Sequence, residues 1–304
     1  MEGPPTPVVR LDGLTFRDGV AVADDDPASP YRARWEDEAA VNPVGSATAG
    51  ASQGRDDLAT LTQKITPLWD RFPPGRQVET LLDVGVGYGR IELFLSQTKG
   101  LRCGTFCAVD ISETMLRRLL EYRERYDSLP GATVYAIRAS SDRLPLEDGS
   151  VDLALSSTAF LHMGKAYVAR TLGEIARVLK PGGQFIFDGS FPNQVNPSHY
   201  AQQLKPKRLR SPHALKYWTR KEVEALVGSS GLADRAGEFR VEPSNYALLP
   251  KNVGSIRIPL ARRVNSALGE PRHLSGLLAV SYSAFSVGAF EWAAVPAAAL
   301  PDSG

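Results

Sequence analysis

Thr80-Leu-Leu-Asp-Val-Gly-Val-Gly-Tyr-Gly-Arg90 is the stretch from which the rest of the chain is read. Leu81, Leu82 and Val84 form the apolar run of a strand covered on both faces. Gly85, Gly87 and Gly89 follow at alternate positions, and glycine lets a backbone turn sharply and come close to a ligand. Ile91, Leu93, Phe94 and Leu95 then continue at helical spacing. A strand, a glycine turn and a helix start make a ligand site at the C-terminal end of a parallel strand.

Outward from this stretch, strands and helices alternate. Thr105–Val109 is a second strand that ends at Asp110. Ser112 can cap a helix whose apolar stripe is Met115, Leu116, Leu119, Leu120 and Tyr122. Thr133–Ile137, Val151–Leu155 and Gln184–Phe187 are three more strands, and a helix from Lys165 to Leu179 ends at Pro181-Gly182-Gly183. Thr219 to Glu222 is a capping box opening a helix through Val227. Phe239 and Val241 mark a sixth strand, Ile256–Leu268 is helical after Pro259, and Leu277–Val287 is the last strand. This alternation predicts an α/β fold: a doubly wound, mostly parallel, seven-stranded Rossmann-like sheet with helices on both faces.

On the N-terminal side, 56–72 reads as one amphipathic helix through Leu58, Leu61, Ile65, Leu68 and Trp69. Residues 1–55 read as an irregular arm pinned by Tyr31 and Trp35, with a lid over the site as the sharper alternative. The expected organisation is an arm at 1–55, one domain at 56–292 and a disordered tail at 293–304.

The 304 residues are 43% hydrophobic and 23% charged, with a formal net charge of +1. That balance implies neither nucleic acid nor a membrane surface as partner. Cys103 and Cys107 exclude a disulfide framework and fit a reducing compartment, and MEGPPTP at the start is not a secretory signal. His199, His213 and His273 have no paired spacing with acids or cysteines, so no metal site is expected. The basic cluster Lys205, Lys207, Arg208 and Arg210 is too short to argue for nucleic acid, although a phosphate or carboxylate on a substrate would suit it.

The glycines follow the pattern Asp83-x-Gly85-x-Gly87-x-Gly89. A dinucleotide fingerprint would read G-x-G-x-x-G, and it has no acid at the strand end. The chain resembles here the class I S-adenosylmethionine-dependent methyltransferases, whose first motif has this form. The resemblance extends through Asp110, Ser141-Asp142, Leu144–Asp152, the strand end Ser156–His162 and Leu172–Phe187. It implies S-adenosylmethionine as methyl donor, with Asp83, Gly85, Gly87, Tyr88, Gly89, Met115, Ser156 and Ser157 around it. It also implies Asp110 on the ribose hydroxyls, Ile111 on adenine, and Ser141-Asp142 near the adenine amino group.

Several of these residues have plainer readings. Gly87 and Gly89 can serve a tight turn, Asp110 can cap a helix, and Asp142 can be an exposed loop acid. His162 lies just past the fourth strand, where the family positions its acceptor, and a neutral imidazole there can take a proton from a hydroxyl. It can equally shape the pocket or fill a packing position. The expected function is cytoplasmic methyl transfer to an oxygen of a small-molecule acceptor, with natural-product or sugar tailoring as one expected setting. Nitrogen or carbon acceptors, a catalytically silent cofactor-binding regulator, and an NAD-dependent oxidoreductase are the competing readings. The oligomeric state is not read from the sequence.

Overall fold

A computed structural model of the chain describes residues 8–10, 12–23, 31–41, 57–62, 65–197, 199–200, 215–246, 252–253, 256–257 and 275–291. In chain order the elements begin with β1 (Leu14–Arg17), β2 (Val20–Ala23), α1 (Arg32–Val41), α2 (Leu58–Leu61) and α3 (Pro67–Asp70). The central part follows as β3 (Gln77–Val84), α4 (Arg90–Lys99), β4 (Arg102–Asp110), α5 (Glu113–Tyr126), β5 (Thr133–Arg138), β6 (Val151–Ser157), α6 (Lys165–Val178) and β7 (Leu179–Pro192). It ends with α7 (Arg220–Ser229), α8 (Leu232–Ala236), β8 (Phe239–Tyr246), β9 (Asn252–Val253), β10 (Ile256–Arg257), α9 (Ser275–Leu278) and β11 (Ala279–Ser286).

Nine strands form one sheet in the order β1-β2-β5-β4-β3-β6-β7-β11-β8. The six strands β2 to β7 run parallel to their neighbours, whereas β1, β11 and β8 pair antiparallel. The chain leaves β3 towards β4 and β5, then returns to β6 and β7 on the other side of β3. Strand order therefore reverses at β3, and the crevice beyond the strand ends at such a point is where open α/β sheets take ligands.

The alternation of side chains sorts the core into two layers. Leu82, Val84, Cys107 and Val109 pack on the face covered by Val168, Leu172 and Ile175 of α6. Leu81, Phe106 and Ala108 pack on the opposite face with Ile91 and Leu95 of α4 and Leu116 and Leu119 of α5. Asp83 shares parity with Leu81, so it faces the α4 layer.

The sheet is wider than the seven strands expected because the N-terminal arm contributes a hairpin. Its turn is Asp18-Gly19, both with positive φ (46° and 80°), the backbone a two-residue hairpin requires. The helix expected over 56–72 is instead two short ones. Pro67 lacks an N–H, takes the first position of α3, and disfavours a helical Thr66, which is extended. Ile256–Arg257 pairs with Asn252–Val253, and the helix expected after Pro259 lies outside the described residues. Thr219 does cap α7, with Glu222 completing the box. The boundaries expected at 55 and 292, the tail at 293–304, the basic cluster at 205–210, His213 and His273 lie outside the described residues. No described helix is long and apolar enough to cross a membrane.

Candidate active site

A cavity of about 240 Å³ opens at the C-terminal ends of β3, β4 and β6. The glycine turn forms one wall. Gly85, Gly87 and Gly89 all take positive φ (75°, 57° and 81°). At Gly85 the requirement is double, because an added Cβ would lie 2.4 Å from the Ala159 Cβ. The turn is pinned from β4: the N–H groups of Gly85 and Val86 donate to the Val109 carbonyl at 2.8 and 3.2 Å. Gly85→Ala is expected to cost ~1–2 kcal/mol in backbone strain alone and to push the 158–160 segment aside. Cofactor affinity should fall at least tenfold in a titration while the far-ultraviolet dichroism stays that of the folded chain.

Asp110 ends β4 inside the cavity. Its Oδ2 accepts from the Gly87 N–H at 2.8 Å and its Oδ1 from the Ser112 N–H at 2.9 Å. Each carboxylate oxygen keeps a lone pair for a ligand hydroxyl. Burial raises the Asp110 pKa, the backbone N–H groups of Ser112, Gly87 and Ile111 oppose that, and the Glu36 carboxylate adds to it. Ser112 caps α5, with its Oγ accepting from Met115 N–H at 3.2 Å. Ile111 and Met115 line the cavity next to it.

Asp83 lines the cavity at 2% exposure, and its Oδ1 meets no donor among the described residues. Its pKa lies well above the ordinary carboxylate range, through burial first, then the neighbouring Glu92 and Asp110, with Arg90 opposing. Tyr88 lines the same wall and donates its hydroxyl to the Leu61 carbonyl at 2.9 Å, tying α2 to the glycine turn.

The opposite wall is the segment after β6. Ser157, Thr158, Ala159, Phe160, Leu161, His162 and Met163 all line it. Thr158 holds φ at +57°, an uncommon conformation for a β-branched residue, and its N–H donates to the Asp188 carbonyl at 2.9 Å. The His162 ring lies 5.9 Å from the Trp35 ring, and Trp35 closes the cavity from α1. Glu36 and, just before the helix, Tyr31 hold α1 there. The Glu36 carboxylate accepts from the Glu113 N–H at 2.5 Å and the Ser112 Oγ at 3.2 Å. The Tyr31 hydroxyl accepts from the Gly164 N–H at 3.0 Å, and its ring packs on Tyr167 at 5.2 Å.

Of the residues expected around the ligand, the structure brings Asp83, Gly85, Gly87, Tyr88, Asp110, Ile111, Met115, Ser141, Ser157 and His162 into the lining. Gly89 caps α4 just behind it, where an added Cβ would meet Leu119 at 3.3 Å. Asp142 and Ser156 lie outside the lining. Asp142 is spent on Arg170, at 2.9 Å, and on the Ser140 hydroxyl, at 2.8 Å. Ser156 is fully buried, because alternation along β6 sends only its neighbour Ser157 to the cavity. Trp35, Arg90, Thr158 and Met163 also line the cavity; Trp35 belongs to the arm and Thr158 to the strand end Ser156–His162, but the sequence singles out none of the four as a site residue. Their types carry no motif; only the fold brings them together. His199 is a packing histidine, 5% exposed, with Nδ1 3.0 Å from the Asn193 carbonyl oxygen. Burial lowers its pKa. No group of His, Cys, Asp and Glu that could hold a metal occurs among the described residues.

Residues 82–187 match the family described as "Methyltransferase domain". This chain carries a class I S-adenosylmethionine-dependent methyltransferase domain. It is 32% identical over 152 residues to a malonyl-[acyl-carrier protein] O-methyltransferase of Marinomonas sp. (strain MWYL1), covering 47% of this chain and 51% of that protein. It is 30% identical over 225 residues to a glycine/sarcosine/dimethylglycine N-methyltransferase of Actinopolyspora halophila, covering 71% of this chain and 35% of that one. A Haloferax volcanii putative methyltransferase, solved in complex with the Trm112 activator, aligns at 24% identity with a TM-score of 0.49, over 79% of this chain and 95% of that chain. The chain spans about half the length, or less, of these two curated relatives.

The donor set fits the cofactor of this domain. S-adenosylmethionine carries a sulfonium and an ammonium at one end and a ribose diol at the other. The buried Asp83 oxygen that meets no donor among the described residues would answer the cations, and Asp110 would offer two oxygens to a diol.

Proposed function

We propose that the chain transfers the methyl group of S-adenosylmethionine to an oxygen of a small-molecule acceptor. The observation that carries this reading is the opposition of two unlike walls across one cavity, acids at one end and an imidazole beside an indole at the other. The cofactor supplies a methyl group already activated as an electrophile on sulfur. Asp110 would hold the ribose and Asp83 the ammonium. With the donor so fixed, alignment supplies much of the rate. His162 would accept the proton that the acceptor hydroxyl loses, at whichever ring nitrogen faces it. The helix α1 and Tyr31 just before it would form a roof: Trp35 lines the cavity, Glu36 reaches the start of α5 and Tyr31 reaches Gly164, and a closed roof keeps water from the methyl group.

The relatives named above, one an O-methyltransferase and one an N-methyltransferase, leave an amine acceptor as the alternative. The experiment that separates them is incubation of the chain with methyl-labelled S-adenosylmethionine and a small-molecule extract, followed by identification of the labelled product. A labelled ether or ester supports the proposal, a labelled amine replaces it, and no labelled small molecule refutes both.

With that acceptor in hand, His162→Ala is expected to lower kcat by ~100-fold and leave cofactor affinity within a few-fold. An unchanged kcat at saturating acceptor would show that His162 only shapes the pocket.

A further inference from the structure

Asp83 has a second acid as its neighbour. Glu92 sits in the first turn of α4, in the apolar stripe between Ile91 and Leu93, and is 2% exposed. Neither of its carboxylate oxygens meets a donor among the described residues, and neither does Oδ1 of Asp83. The two side chains lie within hydrogen-bonding reach of each other. Two buried carboxylates at that separation can hydrogen-bond only if one is protonated. The register of β3 explains the meeting: Asp83 faces the layer that α4 covers, and Glu92 is on the covering side of α4.

We propose that Asp83 and Glu92 share one proton in the absence of cofactor and release it to solvent on binding the cationic methionine end of S-adenosylmethionine. Glu92 acts as the positioning residue that makes binding proton-linked. In this step the O–H bond of the shared carboxyl breaks, the proton goes to buffer, and the charge left behind faces the ligand's ammonium. The inference rests on the reading of the cavity as the S-adenosylmethionine site.

The surrounding charges agree. Arg90, on α4, favours the ionised form, and Asp110, on β4, opposes it. Cys103, on β4 beside Glu92, has its thiol pushed up to about 12 by burial, so it remains neutral. Arg123, on α5, acts on Cys103 and spends Nη2 on the Ala132 carbonyl. Glu36, on α1, acts on Asp110. Burial is the main cause that raises the pKa of both Asp83 and Glu92.

Two readouts test this. The first is calorimetric titration of the full chain with S-adenosylmethionine in buffers of different ionisation enthalpy. It is run below the α-amino range, ~7.7, so that the ligand's own amine stays charged. About one proton should be released per site, and affinity should rise by up to ~tenfold per pH unit until the pair has ionised. Glu92→Gln should release almost none and lose most of that pH dependence. Saturable binding with no proton released would overturn this inference and leave the cofactor intact, whereas no binding at all would overturn the cofactor reading.

The second readout needs no ligand. A carboxyl whose pKa is raised in the folded state stabilises that state at low pH. This contribution is lost as pH rises from the ordinary carboxylate range through the raised value. The melting temperature of the wild-type chain should therefore fall with pH across that window more steeply than that of Glu92→Gln. Parallel curves would overturn the shared proton.

Discussion

Asp110→Ala is expected to weaken S-adenosylmethionine binding by ~100-fold or more. The carboxylate would accept from two ribose hydroxyls, and hydrogen bonds to a charged group contribute ~1.5–3 kcal/mol each. The same carboxylate takes the N–H groups of Gly87 and Ser112, at 2.8 and 2.9 Å, and so fixes the glycine turn against the start of α5. Alanine would remove the ligand contacts and loosen the wall around them. Asp110→Asn separates the two effects. It keeps the shape but offers one oxygen and one donor, so either Gly87 or Ser112 faces an N–H, and affinity should fall by an intermediate amount. The measurement is a calorimetric dissociation constant for all three proteins. A value for Asp110→Ala within a few-fold of wild type would refute the ribose role.

The largest effect on stability is expected at Asp188, near the turn of β7 where Gly189 takes φ of +60°. The residue is fully buried. Its Oδ2 accepts from the Thr66 hydroxyl at 2.6 Å and the Trp69 indole N–H at 2.9 Å, and its Oδ1 from the hydroxyls of Ser283 and Ser244 at 2.9 and 3.2 Å. One carboxylate thus joins α3, β8 and β11 to β7. Asp188→Ala leaves four buried donors with no acceptor and should cost about 3–5 kcal/mol, read from the denaturant midpoint at unchanged slope. Asp188→Asn should cost less, since one oxygen still accepts. The site should feel the loss too, because the Asp188 carbonyl receives the Thr158 N–H that sets the wall carrying His162. A cost below ~1 kcal/mol for Asp188→Ala would show that these donors find other partners.

The centre of the sheet was legible because its strands carry their own signals. Leu81, Leu82 and Val84, and the run ending at Asp110, are buried on both faces, and each is followed by a glycine turn or a capping serine. The edges were not. Leu14–Arg17 and Val20–Ala23 flank an Asp18-Gly19 turn, a local hairpin signal, but the prolines and acids on either side masked it, and pairing with β5 is a long-range event. The floor of the site was legible for the same reason: Asp83 and Asp110 sit at strand ends a fixed step from their glycines. The arm reads as a lid only in the alternative, through Tyr31 and Trp35, since no motif pairs Trp35 with His162 across more than a hundred residues of sequence. Asp142 was misplaced because a single chain does not reveal Arg170 one helix away. Glu92 carried a signal that was passed over, a charge inside the apolar stripe Ile91–Leu95.

The central claim is that the cavity at the ends of β3, β4 and β6 takes S-adenosylmethionine. It is tested most directly by titrating the full chain with S-adenosylmethionine and, in parallel, with NADH in the same calorimeter cell. Saturable binding of one S-adenosylmethionine per chain, with no heat from NADH, is the predicted result. Saturable binding of NADH with none of S-adenosylmethionine would contradict it.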